Sequence, residues 1–105
     1  MIKNNLDKIK GYVGIANRAN YIICGSDNLK GYTHKLYIVL YRQDYGKTIQ
    51  KTLNELSERN IPCIKLDIND FDYITGLTNC KLLAIKNKGI SDQVLKILRS
   101  ENISG

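Results

Sequence analysis

The sequence predicts an α/β fold: a three-layer α/β/α sandwich built on a four-stranded mixed sheet. Three observations carry that expectation. Helical and strand periodicities alternate along the 105 residues. Two apolar runs, Leu36–Tyr41 and Lys81–Ile85, are continuous rather than alternating, as strands covered on both faces require. A helical pattern follows nearly every strand, which favours helices on both sides of a sheet joined by crossovers. The length suits one core, so residues 1–105 are expected to form a single domain.

The elements follow in order. Ile2, Leu6, Ile9, Val13 and Ala16 recur at spacings of four and three, predicting a first helix from about Asn5 to Asn20. Gly11 and Gly14 inside it point to close packing against a neighbour. Tyr21–Cys24 reads as a short strand stopped by Gly25. Ser26-Asp27-Asn28 offers an N-cap for a second helix running towards Thr33. The Leu36–Tyr41 strand is followed by a helix over Gly46–Arg59, with Ile49, Leu53 and Leu56 on its inner side, ended by Asn60-Ile61-Pro62. Cys63–Leu66 is the next strand. Asn69 or Asp70 caps a brief helix through Ile74, which Gly76 terminates. After the Lys81–Ile85 strand, Lys88-Gly89 turns the chain and Ser91 caps a last helix carrying Val94, Leu95 and Leu98.

Composition bounds the function. Hydrophobic residues make up 43% and charged residues 25%, an ordinary globular mix. No apolar run is long enough to span a membrane, and the opening MIKNNLDKIK lacks the apolar stretch of a secretory signal, so a cytoplasmic location without membrane contact is expected. Cys24, Cys63 and Cys80 form no C-x-x-C pair, their number is odd, and reduced, buried thiols are the expected state. With one histidine, His34, no metal site is expected. Phosphate-binding glycine loops, G-x-S-x-G and H-E-x-x-H are absent. Asp67, Asp70 and Asp72 read as helix-start caps rather than an acid pair, and His34 reads as a surface residue rather than the base of a Cys24 nucleophile. The expectation is therefore a non-catalytic protein with no cofactor.

A net charge of +6 points to a polyanionic partner. Residues 1–47 carry Lys3, Lys8, Lys10, Arg18, Lys30, Lys35, Arg42 and Lys47 against Asp7, Asp27 and Asp44, so +5 of the charge falls there. Six of the seven tyrosines lie in the same stretch (Tyr12, Tyr21, Tyr32, Tyr37, Tyr41, Tyr45), and tyrosines interleaved with Lys and Arg suit stacking on bases and neutralising phosphates. Tyr12 and Tyr37 are better read as core residues with wet hydroxyls, while Tyr32, Tyr41 and Tyr45 sit at predicted element ends.

Several segments taken together resemble a known family. Gly14-Ile15-Ala16-Asn17-Arg18-Ala19-Asn20 followed by Gly25, the Arg59–Ile64 junction with Thr48 upstream, and Gly76 with Lys81–Ile85 and Lys88-Gly89 are similar in order and spacing to bacterial YlxQ-type proteins. These form a branch of the kink-turn-binding ribosomal-protein superfamily, which includes an archaeal large-subunit ribosomal protein and eukaryotic snoRNP relatives. The resemblance covers about Gly14 to Leu98. It implies the same sandwich, and a monomer that binds sharply bent, structured RNA such as ribosomal RNA, alongside ribosomal proteins. It also implies an RNA surface at the start of the second helix plus an apolar loop at the same end of the sheet. Carried over residue by residue, Gly25 matches the motif glycine. Ser26, Asp27 and Asn28 follow it, with Asp27 where Asn is usual and Asn28 where Glu is usual; the motif lysine falls on Gly31, with Lys30 one position early. Arg42 falls in the loop after the central strand, Thr75-Gly76-Leu77 in the apolar loop, and Arg18 joins Arg42 as a phosphate contact. A protein-interaction module of the same fold, without specific RNA recognition, is the alternative that the altered motif raises.

Overall fold

The computed structural model describes residues 1–77 and 79–101; Thr78 and residues 102–105 of the expected single domain lie outside them. Five helices and four strands alternate in the expected order: α1 Lys3–Arg18, β1 Ile22–Cys24, α2 Ser26–Leu29, β2 Ile38–Arg42, α3 Lys47–Glu58, β3 Cys63–Leu66, α4 Ile68–Thr75, β4 Leu82–Ile85 and α5 Lys88–Glu101. The chain is a three-layer α/β/α sandwich with a mixed sheet.

The strand order is β1-β4-β2-β3, with β2 and β3 parallel and β4 antiparallel to both of its neighbours. β4 is the last strand in sequence but sits inside the sheet, and all four of its side chains are fully buried. They alternate between two cores, as the two-residue period of a strand dictates. Leu83 and Ile85 join Ile38 and Leu40 against Ile9, Val13 and Ala16 of α1, Phe71 and Ile74 of α4, and Val94 and Leu98 of α5. Leu82 and Ala84 join Val39 against Leu29 of α2 and Leu53 and Leu56 of α3. The polypeptide enters β2 and leaves β4 at one end of the sheet, while β1, β2 and β3 all finish at the other. That second end collects the starts of α2, α3 and α4 and the segment leading into β4, and it is termed here the loop pole.

Helix ends depart from the sequence expectation for identifiable reasons. α1 stops at Arg18 rather than Asn20, because Asn20 adopts the left-handed conformation (φ 62°) and the Tyr21 N–H bonds to the Ala16 carbonyl at 2.8 Å. α3 ends the same way: Asn60 has φ 61°, and the Ile61 N–H reaches the Leu56 carbonyl at 3.2 Å. Both are Schellman closures, in which two otherwise unpaired carbonyls are satisfied. α4 is capped by Asp67, whose carboxylate accepts the Asp70 N–H at 2.7 Å, and not by Asn69 or Asp70. α5 begins three residues before the expected Ser91 cap. The Asn87 side chain accepts the Ile90 N–H at 2.9 Å, leaving Ser91 inside the helix, buried, with no partner for its hydroxyl. α2 makes one turn and does not reach Thr33, since Lys30 is extended and Gly31 has φ 75°.

Asn tolerates the left-handed region better than any other side chain but less well than glycine, whereas alanine pays roughly 1–2 kcal/mol there. Asn60→Ala is therefore expected to destabilise the protein by about 1 kcal/mol and Asn60→Gly to leave it equal or more stable, as read by urea unfolding midpoints.

Candidate nucleic-acid interface

The loop pole is where the expected RNA residues meet. Gly25 ends β1 in a conformation reserved for glycine (φ 89°, ψ 147°), and its N–H donates to the Leu82 carbonyl at 2.8 Å. This turns the chain sharply, so that Ser26, Asp27 and Asn28 stand beside the entry to β4. Ser26 is not an N-cap, and Gly25 in that position offers no side chain. Asn28 instead donates its amide back to the Cys24 carbonyl at 2.7 Å, which fixes its oxygen outwards. Gly25–Asn28, Ile49, Asn79, Lys81 and Leu82 line a shallow groove of about 470 Å³.

The second loop lies next to it. Gly76 closes α4 in the left-handed conformation (φ 64°). The Thr75 hydroxyl donates to the Phe71 carbonyl at 2.9 Å and accepts the Leu77 N–H at 3.2 Å, so it is spent in shaping the loop. Leu77 is left exposed. Between the two loops, Cys24 and Cys80 are bonded as a disulfide across Cα atoms 6.2 Å apart, within the usual span for such a bridge. The expectation of three reduced thiols is corrected here: the pair became possible because residues 56 apart in sequence flank adjacent loops. Cys63 is the free cysteine among the described residues, half-buried, with its thiol pushed up by burial.

Arg42 stands at this pole but is already occupied. Its side chain, only 12% exposed, donates Nε to Asp44 at 2.6 Å and Nη1 to Asp72 at 2.9 Å. These hydrogen bonds raise the guanidinium further above its ordinary range. Asp44 is drawn down to about 2, first by Arg42 and then by Lys81, whose ammonium lies 3.4 Å away. This network is not legible along the chain, because Asp72 lies 30 residues away on another element. Arg42 braces the β2–α3 turn against α4 and offers no free donor fork for a phosphate.

Arg18 lies elsewhere. It ends α1 at the opposite end of the sheet, with its guanidinium folded back over Gly14; a Cβ there would lie 3.6 Å from Nη1. Lys10, Gly14, Asn17 and Thr75–Leu77 border a small cleft of about 120 Å³ between α1 and α4, so Arg18 neighbours the apolar loop but not the Gly25–Asn28 groove. Lys30 follows α2 and is exposed. The loop pole as a whole carries Lys30, Arg42, Lys47 and Lys81 against Asp27, Asp44, Asp67, Asp70 and Asp72, with the Met1 ammonium 3.6 Å from Asp70. It is close to electroneutral in a chain of net charge +6. His34 and Cys24 fall at opposite ends of the sheet. No trio of His, Cys, Asp or Glu among the described residues is arranged to hold a metal ion, and no helix there is long and apolar enough to cross a membrane.

No family model and no curated protein matches the chain. Among solved structures, a protein of unknown function from Bacillus halodurans is similar to it, with a TM-score of 0.71 and 19% identity. The match covers 88% of this chain and 97% of that one. At that identity the likeness shows the fold.

Two measurements check the local chemistry. Because the folded-state value of Asp44 lies below its ordinary 3.8, the pairing contributes fully above about pH 4 and is lost as pH falls through about 2. A carboxyl carbon-13 titration is expected to place the Asp44 midpoint near 2, and Arg42→Gln to return it towards 3.8. The non-reduced, denatured chain is expected to titrate a single thiol, Cys63, and the reduced chain all three.

Proposed function

We propose that the chain is a non-catalytic RNA-binding protein that recognises bent, structured RNA, ribosomal RNA being the natural candidate, through the loop pole. The convergence of Gly25–Asn28 with Thr75–Leu77 supports the reading. Two loops 50 residues apart in sequence, at positions matching the resemblance, lie on either side of Cys24 and Cys80. In this reading Asn28 and Ser26 present polar groups to guanine edges that a bend exposes, and Leu77 packs against an extruded nucleotide. Lys30 and Lys81 supply the phosphate contacts, and Arg42 acts as a brace. Phosphate contacts position the protein, while the short polar side chains discriminate.

A specific observation favours the second reading, a protein-interaction module of the same fold. Five carboxylates surround the loop pole and its one arginine is fully paired. The two readings separate in an electrophoretic shift comparing a kink-turn RNA with a straight duplex of equal length. RNA recognition requires the kink-turn to bind at least about tenfold tighter, a difference of ~1.4 kcal/mol. Asp27→Asn, which removes an anion from the groove, is then expected to tighten binding about fivefold, ~1 kcal/mol at a solvated surface. Equal weak binding to both RNAs that vanishes at moderate salt, with Asp27→Asn silent, favours the protein-interaction module.

A further inference from the structure

At the other end of the sheet the cations outnumber the anions. There Arg18, Lys35, Arg59, Lys86 and Lys88 stand against Glu55, Glu58 and Asp92, an excess of two. Two tyrosines come off the strands on either side of β4 at this pole. The Lys86 N–H donates to the Tyr21 carbonyl at 2.7 Å, and the Tyr37 N–H donates to the Ile85 carbonyl at 3.1 Å, so Lys86 leaves the sheet between them. Tyr21 is exposed (38%), and Tyr37, read from the sequence as core, is half-buried and belongs to neither core cluster. The Lys35 ammonium lies 5.9 Å from the centre of the Tyr37 ring. Lys88 is paired with Asp92 at 2.8 Å.

The segment carrying Lys35 is held in place. Arg59 at the end of α3 donates to the Tyr32 carbonyl at 2.8 Å and the His34 carbonyl at 2.9 Å. Arg59 thereby spends donors on the backbone, leaving Lys35 and Lys86 as the lysines of this end without an ion-pair partner among the described residues. Nothing in the core requires exposed tyrosine and clustered lysine at this end. Among the described residues Lys35 and Lys86 have no ion-pair partner, and they stand next to Tyr37 and Tyr21.

We infer that this pole is a binding surface for single-stranded nucleic acid, with Tyr21 as a stacking platform for a base and Lys35 and Lys86 as phosphate contacts. A duplex hides its base faces and would leave Tyr21 unused, while a single strand offers both a π-face and a charge at each nucleotide. The surface lies at the opposite end of the sheet from the groove of the proposed RNA site and does not rest on that reading. The kink-turn comparison can fail without affecting this pole.

The test is fluorescence anisotropy with a labelled oligouridylate across a salt series. The parent protein is expected to bind with salt-dependent affinity. Tyr21→Ala is expected to weaken binding at least about fivefold, the lower end of what one stacked base contributes, while Tyr21→Phe retains it. Lys35→Gln with Lys86→Gln is expected to flatten the slope of log affinity against log salt by about 1.4, two phosphate contacts on a single strand. Lys96→Gln, an exposed position on α5 outside both surfaces, is expected to leave both quantities unchanged. Melting curves confirm that each variant is folded; should Tyr21→Ala fail to fold, the lysine pair and the salt slope still decide. An unchanged slope in the lysine pair, an equal loss in Lys96→Gln, or binding to vesicles of phosphatidylcholine and phosphatidylglycerol but not to the oligonucleotide would each overturn the proposal.

Discussion

The structure depends on the burial of β4 on both faces. Its four residues, Leu82–Ile85, are closed off from water entirely, so every backbone N–H and C=O in the strand must find a partner in β1 or β2. Its side chains feed two cores at once, which joins the layer of α1, α4 and α5 to the layer of α2 and α3 through a single short strand. Shortening any of these side chains would leave a cavity facing both a helix layer and the neighbouring strands, the situation in which core truncations are most costly. Because β4 is inserted between β1 and β2, the segment leading into it lies beside the Gly25 turn, and the segment leaving it lies beside Tyr21 and Tyr37. The same strand therefore sets the geometry of both poles.

Charge is sorted between those poles. At the loop pole the cations are matched by carboxylates, several of them in fixed pairs: Arg42 with Asp44 and Asp72, Lys81 with Asp44. Such pairs hold the β2–α3 turn against α4 and the entry to β4, and their value lies in fixing geometry more than in net stability, because partly exposed pairs are screened by water. At the opposite pole the cations outnumber the anions, and Arg59 ties down the segment before β2. A protein with this arrangement presents a polar, shape-defined groove at one end and an electrostatic surface with aromatic faces at the other. The first suits discrimination and the second suits attraction, which is how nucleic-acid contacts usually divide their labour.

The Cys24–Cys80 bridge ties the turn that carries Gly25–Asn28 to the end of the loop that carries Thr75–Leu77. Held this way, the two loops lose freedom relative to one another before any ligand arrives, so less ordering remains to be done on binding. Asn28 and Thr75 add to the same effect by bonding to their own backbones. The groove is thus largely preformed, although its four-residue helix contributes little rigidity of its own.

By itself, the sequence determined the fold class, the order of all nine elements and most of their cores, because periodicity and continuous apolar runs report directly on which faces are covered. It located Gly25 and Gly76 as turns, since their conformations suit glycine far better than other residues, and it read Asp67, Asp70 and Asp72 as helix-start residues, though it placed the cap one turn too late. It missed the Schellman end of α1 at Asn20, where an asparagine inside a helical pattern carries no mark of its backbone conformation, and it put the cap of α5 at Ser91 where Asn87 won by bonding first to the free N–H groups. Tertiary structure alone decided the rest. Inserting β4 between β1 and β2 brought Cys24 to Cys80 and Arg42 to Asp72, removing two thiols and one phosphate-binding candidate from the surface. It also carried Lys35 to the other end of the sheet and left Arg18 beside the Thr75–Leu77 cleft but away from the Gly25–Asn28 groove. Charge adds up along a sequence without regard to place, but attraction depends on which side chains share a face, and only the folding of the sheet assigns those faces.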